Sequence, residues 1–268
     1  MKAGKALRIA LYTLLLLALA LAFIYYVNQP PKPLLVRGAP AGLFYGGPPT
    51  TALAGWFCVE DINSSDGFSI QLNAQLGNGY VIQNVYTVTP QGQAMIGENA
   101  WLCTFGLCIP LSAAFINTTP THCAWLITAL KGEFAYIGYS LDGKNIIWYA
   151  AIHVGSTHII PTIPILAPNG YTNIVLAGYG NGAQAQLGSG TLVYLAMYYW
   201  NGNNWQPAPV GALKGGGGIG ETVNHAWEFT NGYCGGYVTW PGASPSGLGV
   251  ACPTPNFHLT IPKLQEQG

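Results

Sequence analysis

The chain has nine acidic residues in 268, and they are where hydrolytic chemistry would have to start. They are Glu60, Asp61, Asp66, Glu98, Glu133, Asp142, Glu221, Glu228 and Glu266. A carboxylate can take a proton from water as that water attacks a carbonyl, provided a second group meets the charge that develops on the oxygen. That second group can be another carboxyl sharing a proton, or a carboxamide. Asp142 stands before Gly143 and is explained by a turn, and Glu266 lies in a polar tail. Glu221 follows the glycine-rich run 215–220, where backbone can approach a substrate closely, and opens the alternating run Glu221-Thr-Val-Asn-His-Ala-Trp-Glu228. Gln83 sits in the otherwise apolar run Gly79-Tyr-Val-Ile-Gln-Asn-Val85. If buried it needs partners, because an unpaired amide costs about 1–3 kcal/mol.

The expectation is a catalytic dyad on neighbouring strands of one concave sheet, with Glu221 as base and Gln83 as oxyanion partner. Asp61, beside Glu60 at the domain entry, is the reserve and would make the site a carboxylate pair. Each has a plainer reading: Glu221 as a strand-start residue bonded to nearby backbone, Gln83 as a satisfied core amide. No metal or organic cofactor is required. Residues 215–220 fit G-x-G-x-x-G, but no strand, helix and further strand surround them, so a dinucleotide site is not expected. His153 and His158 have no acidic companion at metal-ligand spacing, and no G-x-S-x-G elbow occurs. Tyr198, Tyr199, Trp200 and Trp205 could stack on sugars, or simply pack the core and pair across strands.

These residues must be positioned by strands. Past residue 33 there is almost no helical periodicity. Short apolar or alternating runs are separated by Gly, Asn and Pro, the pattern of an all-β sandwich or barrel. Strands are expected at 68–75, 79–88, 124–127, 134–141, 145–153, 173–177, 190–200, 222–229 and 236–240. Asp142-Gly143, Asn169-Gly170, Asn181-Gly182 and Asn201-Gly202 are turn signals. About ten strands without a regular repeat point to a two-sheet β-sandwich of jelly-roll or concanavalin-like form. Its concave trough could hold an extended peptide or a glycan.

Several segments fall in a recognisable order. Gly170-Tyr-Thr-Asn-Ile-Val-Leu-Ala-Gly-Tyr-Gly-Asn-Gly182 is followed by the run from Leu192 to Trp205 and by 215–224. Upstream stand Tyr80-Val-Ile-Gln-Asn-Val85 and Gly97-Glu-Asn-Ala-Trp101. Over roughly residues 50 to 250 this order resembles the thermopsins, exported acid proteases of archaea. Glu221-Thr222 matches the closing E-T of that family's G-[SG]-D-T-[AG]-E-T motif, while Gly218 stands where the motif has Asp. The resemblance implies an endopeptidase working in acid on polypeptide. The alternatives are a surface or adhesion module without catalysis, and a carbohydrate-binding sandwich. A glycoside-cleaving version would need two facing carboxylates about 5–9.5 Å apart, and the sequence pairs none.

Composition and termini describe the setting. Only 7% of residues are charged, against about 25% in an average soluble protein. Such a surface changes its charge little as pH falls, which limits acid unfolding. With zero net charge and no basic run, nucleic acid is not an expected partner. Lys2, Lys5 and Arg8 precede an apolar run over 9–27, close to the roughly 20 residues that span a bilayer. It reads as a signal anchor, or as a cleaved signal peptide. Residues 28–49 are expected to be a Pro/Gly-rich linker, 50–255 the β domain and 256–268 a tail. The protein is thus expected outside the cell, secreted or on the outer face of the membrane, with polypeptide and cell-surface glycans as partners. Six cysteines favour disulfides there, and sequence proximity suggests Cys103–Cys108, Cys234–Cys252 and Cys58–Cys123. A zinc site from Cys103, Cys108, His122 and Cys123 lacks the usual cysteine spacing. Asn63-Ser-Ser and Asn117-Thr-Thr are glycosylation sequons, expected in exposed loops.

Overall fold

The computed structural model describes residues 12–21, 33–62, 64–104, 107–161, 172–180, 182–213, 220–242 and 248–262. Residues 9–11 and 22–27 of the apolar run, 28–32 of the expected linker, the glycine run 215–219, Asn63, the turn signal at Asn169-Gly170, Asn181 and the end of the tail lie outside these residues. The chain forms two compact units, Met1–Lys32 and Pro33–Gly268. In the first, residues 12–21 are helical. Among the described residues no helix is long and apolar enough to cross a membrane.

The second unit is the expected two-sheet sandwich, with strands numbered along the chain. One sheet has ten strands. Its main path is β1 (Leu34–Ala39), β16 (Thr222–Thr230), β17 (Gly235–Thr239), β13 (Leu192–Trp200), β3 (Ala52–Asp61), β8 (Cys123–Lys131), β9 (Phe134–Ser140) and β10 (Ile147–His153). β12 (Gln184–Ala185) pairs with β16, and β14 (Trp205–Pro207) with β13. The other sheet has seven: β15 (Val210–Ala212), β2 (Ala41–Tyr45), β11 (Asn173–Ala177), β4 (Phe68–Gln75), β5 (Tyr80–Val88), β6 (Ala94–Thr104) and β7 (Leu107–Thr118). Among the described residues all strand pairings are antiparallel except β12 with β16.

The strand period of two builds the core. In β4, Phe68, Ile70, Leu72 and Ala74 join the main buried cluster, as do Ile82 and Tyr86 of β5 and Phe57 and Val59 of β3. Tyr86 meets Phe57 across the sheets with ring centroids 5.0 Å apart. The alternate residues Ser69, Gln71 and Asn73 lie on the other face of the seven-stranded sheet, yet they are buried too, so this face is covered.

The β9–β10 hairpin at Asp142-Gly143 forms as the sequence suggests. Asp142 Oδ1 accepts from the amides of Lys144 (2.8 Å) and Asn145 (2.9 Å), and the Asn145 amide first, then that of Lys144, holds its carboxyl well below the usual carboxylate range. Asn201 plays the matching part between β13 and β14, its Oδ1 accepting from the amides of Asn203 and Asn204 at 3.0 Å.

Three expectations are corrected. Residues 34–45, expected in the linker, are the strands β1 and β2. Their apolar content is short and flanked by Pro and Gly, which masks it as spacer. In the expected tail, Phe257 is buried and packs edge-on against Trp125 (5.3 Å) and Trp205 (5.7 Å). Asn117 is exposed as expected of a sequon, but in the edge strand β7, not in a loop. The disulfides are Cys58–Cys123, Cys103–Cys108 and Cys234–Cys252, the pairing that proximity suggests. They use the cysteines that a zinc site would need as thiolates.

Candidate functional site

Gln83 faces outward from β5 and is the centre of a buried amide network. Its Nε2 donates to Asn73 Oδ1 (2.9 Å) and Gln71 Oε1 (3.2 Å). Its Oε1 accepts from Asn99 Nδ2 (3.3 Å) and Trp101 Nε1 (3.4 Å). The network extends from Asn73 Nδ2 to Asn173 Oδ1 (2.7 Å) and from Gln71 Nε2 to Ser69 Oγ (3.0 Å). It is continuous because the register sets Asn173 beside Asn73, Asn73 beside Gln83 and Gln83 beside Asn99. A carboxamide has two N–H donors and two acceptor sites. All four of Gln83 are engaged, which is how the amide tolerates being 2% exposed.

Glu221 directly precedes β16, a strand of the ten-stranded sheet, whereas β5 belongs to the seven-stranded sheet. The expected placement of Gln83 and Glu221 on neighbouring strands of one sheet is therefore not what the fold does. Two glycine-bearing segments meet at the outer face of the seven-stranded sheet instead. Gly182 (φ 75°) and Gly220 (φ 106°) take backbone angles that side chains disfavour. A Cβ on Gly220 would stand 3.8 Å from Gly182 Cα. Thr222 N–H donates to Ala183 O (3.1 Å), joining the two segments. The first is tied to the sheet by Ser69 Oγ, which donates to Gly178 O (2.6 Å), and by Thr87 Oγ1, which lies 3.0 Å from Tyr179 O.

The result is a cleft of about 520 Å³. Asn99 and Trp101 of β6 line it, with Phe115 of β7, Tyr179, Gly220 and Glu221. Glu221 is half-buried and is the carboxylate among the lining residues. Gln83 does not line the cleft but holds two residues that do.

The other carboxylates are placed elsewhere. Asp61 and Glu60 are exposed at the end of β3 and do not line the cleft. Glu133 meets His153 at 3.0 Å on the surface. Glu228 is buried and accepts from Gly42 N–H at 2.8 Å. Glu98 is buried on the inner face, where burial pushes its carboxyl above the usual range while a 3.1 Å hydrogen bond from Ser112 Oγ pulls it down. Among the described residues no group of three or more His, Cys, Asp or Glu could hold a metal.

Sequence reasoning gives no role to Asn99. It stands two residues before Trp101, but the signal that marks it is its register against Gln83, which requires knowing that β5 and β6 pair.

No family model matches the chain, and no curated protein matches its sequence. Among solved structures it is similar to Scytalido-glutamic peptidase with a peptide-based transition state analogue, at 9% identity and a TM-score of 0.42, covering 77% of this chain and 100% of that one. A second structure of that peptidase, with a transition state analogue inhibitor, gives 7% identity and a TM-score of 0.39 at the same coverage. A functionally unknown protein from Saccharomyces cerevisiae gives 16% identity and a TM-score of 0.29, over 56% of this chain and 89% of that one. Likeness this distant carries nothing about the chemistry of the cleft.

Proposed function

We propose that the chain is a thermopsin-like acid endopeptidase acting on extended polypeptide outside the cell, secreted or held at the outer face of the membrane by residues 9–27. The observation that carries this reading is that Glu221 and Asn99 line one cleft, with Asn99 held by a network of interlocked amides. The glycine-flanked approach to Glu221 and its Glu221-Thr222 sequence support it, and the three disulfides fit an oxidising compartment.

In this reading the Glu221 carboxylate takes a proton from a water whose oxygen bonds to the scissile carbonyl carbon. The resulting oxyanion accepts a hydrogen bond from Asn99 Nδ2, whose other hydrogen is directed at Gln83 Oε1. Glu221 then gives the proton to the peptide nitrogen, the C–N bond breaks, and a carboxyl and an amine product leave. Gln83 acts through Asn99 and is a positioning residue, since its own N–H donors are engaged. That replaces the direct oxyanion role expected of it.

The test is cleavage of an unfolded protein substrate by the full chain between about pH 2 and pH 7. Acid-dependent cleavage abolished by Glu221→Gln is expected, and Asn99→Ala should lower kcat roughly 100-fold with little change in KM. No cleavage by a folded wild-type chain would overturn the reading. A surface module without chemistry is the second reading, and one observation favours it: Gln83 is fully satisfied by its neighbours.

A further inference from the structure

A second concavity, of about 600 Å³, is built from three segments: Pro48 to Thr51, His158, and Tyr199 to Gly202. These segments are fixed to one another at Thr50. Its N–H donates to Ile159 O (3.0 Å), its carbonyl accepts from Ile159 N–H (2.8 Å), and its Oγ1 lies 2.7 Å from Trp200 O. Tyr45, itself in edge contact with Tyr199, donates its hydroxyl to Pro48 O. The groove is therefore formed before any ligand arrives. It is also separate from the Glu221 cleft. Its neighbourhood is the Leu76 end of β4, where Leu76 bridges Ile159, whereas the cleft reaches Thr87 at the opposite end of the β4–β5 hairpin.

The lining has a definite chemical character. Trp200, Tyr199 and the two prolines supply the apolar part of the lining. The Trp200 ring is set by an edge contact with Trp205 across the β13–β14 hairpin, at 5.4 Å and 70°. Polar groups stand beside them: the exposed Thr51 and His158, and Asn201, whose Oδ1 is engaged by the turn, leaving Nδ2 as donor. Among the described residues no Asp, Glu, Lys or Arg lines the groove, so it holds no carboxylate for hydrolysis and, apart from the His158 imidazole, no side chain that would pair with a charged ligand. A neutral pyranose matches this set. Its C–H face meets the negative face of an aromatic ring, and its hydroxyls both donate and accept, so they suit an amide, a hydroxyl and an imidazole together.

We propose that this groove binds a neutral oligosaccharide, making the chain a glycan-binding protein at a site independent of the Glu221 cleft. The occupant is assigned by charge and by the mixture of apolar and hydrogen-bonding groups. A proline-rich peptide, the other ligand that aromatic grooves take, would use the rings and, through its carbonyls, the donors, but its prolines have no N–H to give to the acceptors of the lining.

The experiment is tryptophan fluorescence and calorimetric titration of the full chain with neutral five-unit oligomers of glucose, mannose and N-acetylglucosamine, alongside decaproline. Saturable binding of at least one oligosaccharide is expected, weakened roughly tenfold or more by Trp200→Ala and unchanged by Glu221→Gln. Because Trp200→Ala could loosen the hairpin, Thr51→Arg serves as a second variant. It stands at an exposed position and should block the groove with the same loss while thermal unfolding is unchanged. No binding of any of the three oligosaccharides, binding of decaproline in their place, or binding insensitive to both groove variants would overturn the proposal.

Discussion

Two buried polar side chains on adjacent strands show how differently a β-sandwich can use its polar residues. Gln83 points to the outer face and is neutral at every pH, so its four hydrogen bonds settle its energetics throughout. Glu98 points inward, 3% exposed, with Ser112 as its hydrogen-bond donor. Nearby the Tyr149 hydroxyl lies 3.0 Å from Asn84 Oδ1 and 2.7 Å from Gly97 O, and its own ionisation is pushed up by burial and then by the charge of Glu98. Burial raises the Glu98 carboxyl above its unfolded value. The stability it contributes is therefore fully present below that unfolded value, about 4.3, and is lost as pH rises through the higher folded one. Glu98→Gln keeps the shape and cannot ionise. Its melting temperature should match the wild type near pH 3 and exceed it at pH 7, as scans at both values would show. A constant difference across pH would mean that Glu98 does not titrate in this range. Gln83 and Glu221 stand out in the sequence because one interrupts an apolar run and the other follows a glycine run. That Asn99 stands beside Gln83 on the same face is not legible there, since the pairing of strands is fixed only by register.

At the level of elements, the strands legible from sequence alone are those with clean alternation or continuous apolar runs. The expected bounds of β4 and β11 match to the residue, and those of β5, β9 and β13 to within two at each end. β6 and β7 escape such a reading for physical reasons. The polar residues Glu98 and Asn99 of β6 take opposite faces and break its pattern, and β7 carries Pro110 and is exposed along most of its length at the sheet edge. These two strands also shape the cleft wall. Gly97 pairs with Phe115, whose ring lies over the glycine so closely that a Cβ would overlap it. Glycine in a strand weakens it, and the ring covers the backbone that the missing side chain leaves bare. Gly97→Ala should displace Phe115 towards the cleft that it lines. The expected outcome is a destabilisation of about 1–3 kcal/mol in urea unfolding, together with weaker substrate binding. An unchanged stability would show that the ring moves without resistance.

Across the molecule, few charges and three covalent staples together define how the fold can be lost. Asp142, lowered, and Glu98, raised, act in opposite directions as pH falls. With nine acidic residues in the chain, acid finds few carboxylates to protonate, whereas the disulfides constrain the unfolded chain at every pH. They differ in what they close. Cys103–Cys108 spans five residues at the β6–β7 turn, where strand pairing already holds the ends together. Cys234–Cys252 spans 18 residues and ties the approach to β17 to the segment that carries Phe257. Cys58–Cys123 spans 65 residues and joins β3 to β8, so in the unfolded chain it encloses all of β4 to β7, most of the seven-stranded sheet. Loop-closure entropy gives about 4 kcal/mol for that length and about 2 kcal/mol for the five-residue loop. Replacing Cys58 and Cys123 together by Ala should thus cost about twice as much as replacing Cys103 and Cys108 by Ala. Equilibrium unfolding in guanidinium of the two double variants measures the ratio directly. Equal losses would place the stabilisation in local contacts of the sulfurs and not in the constraint on the unfolded chain.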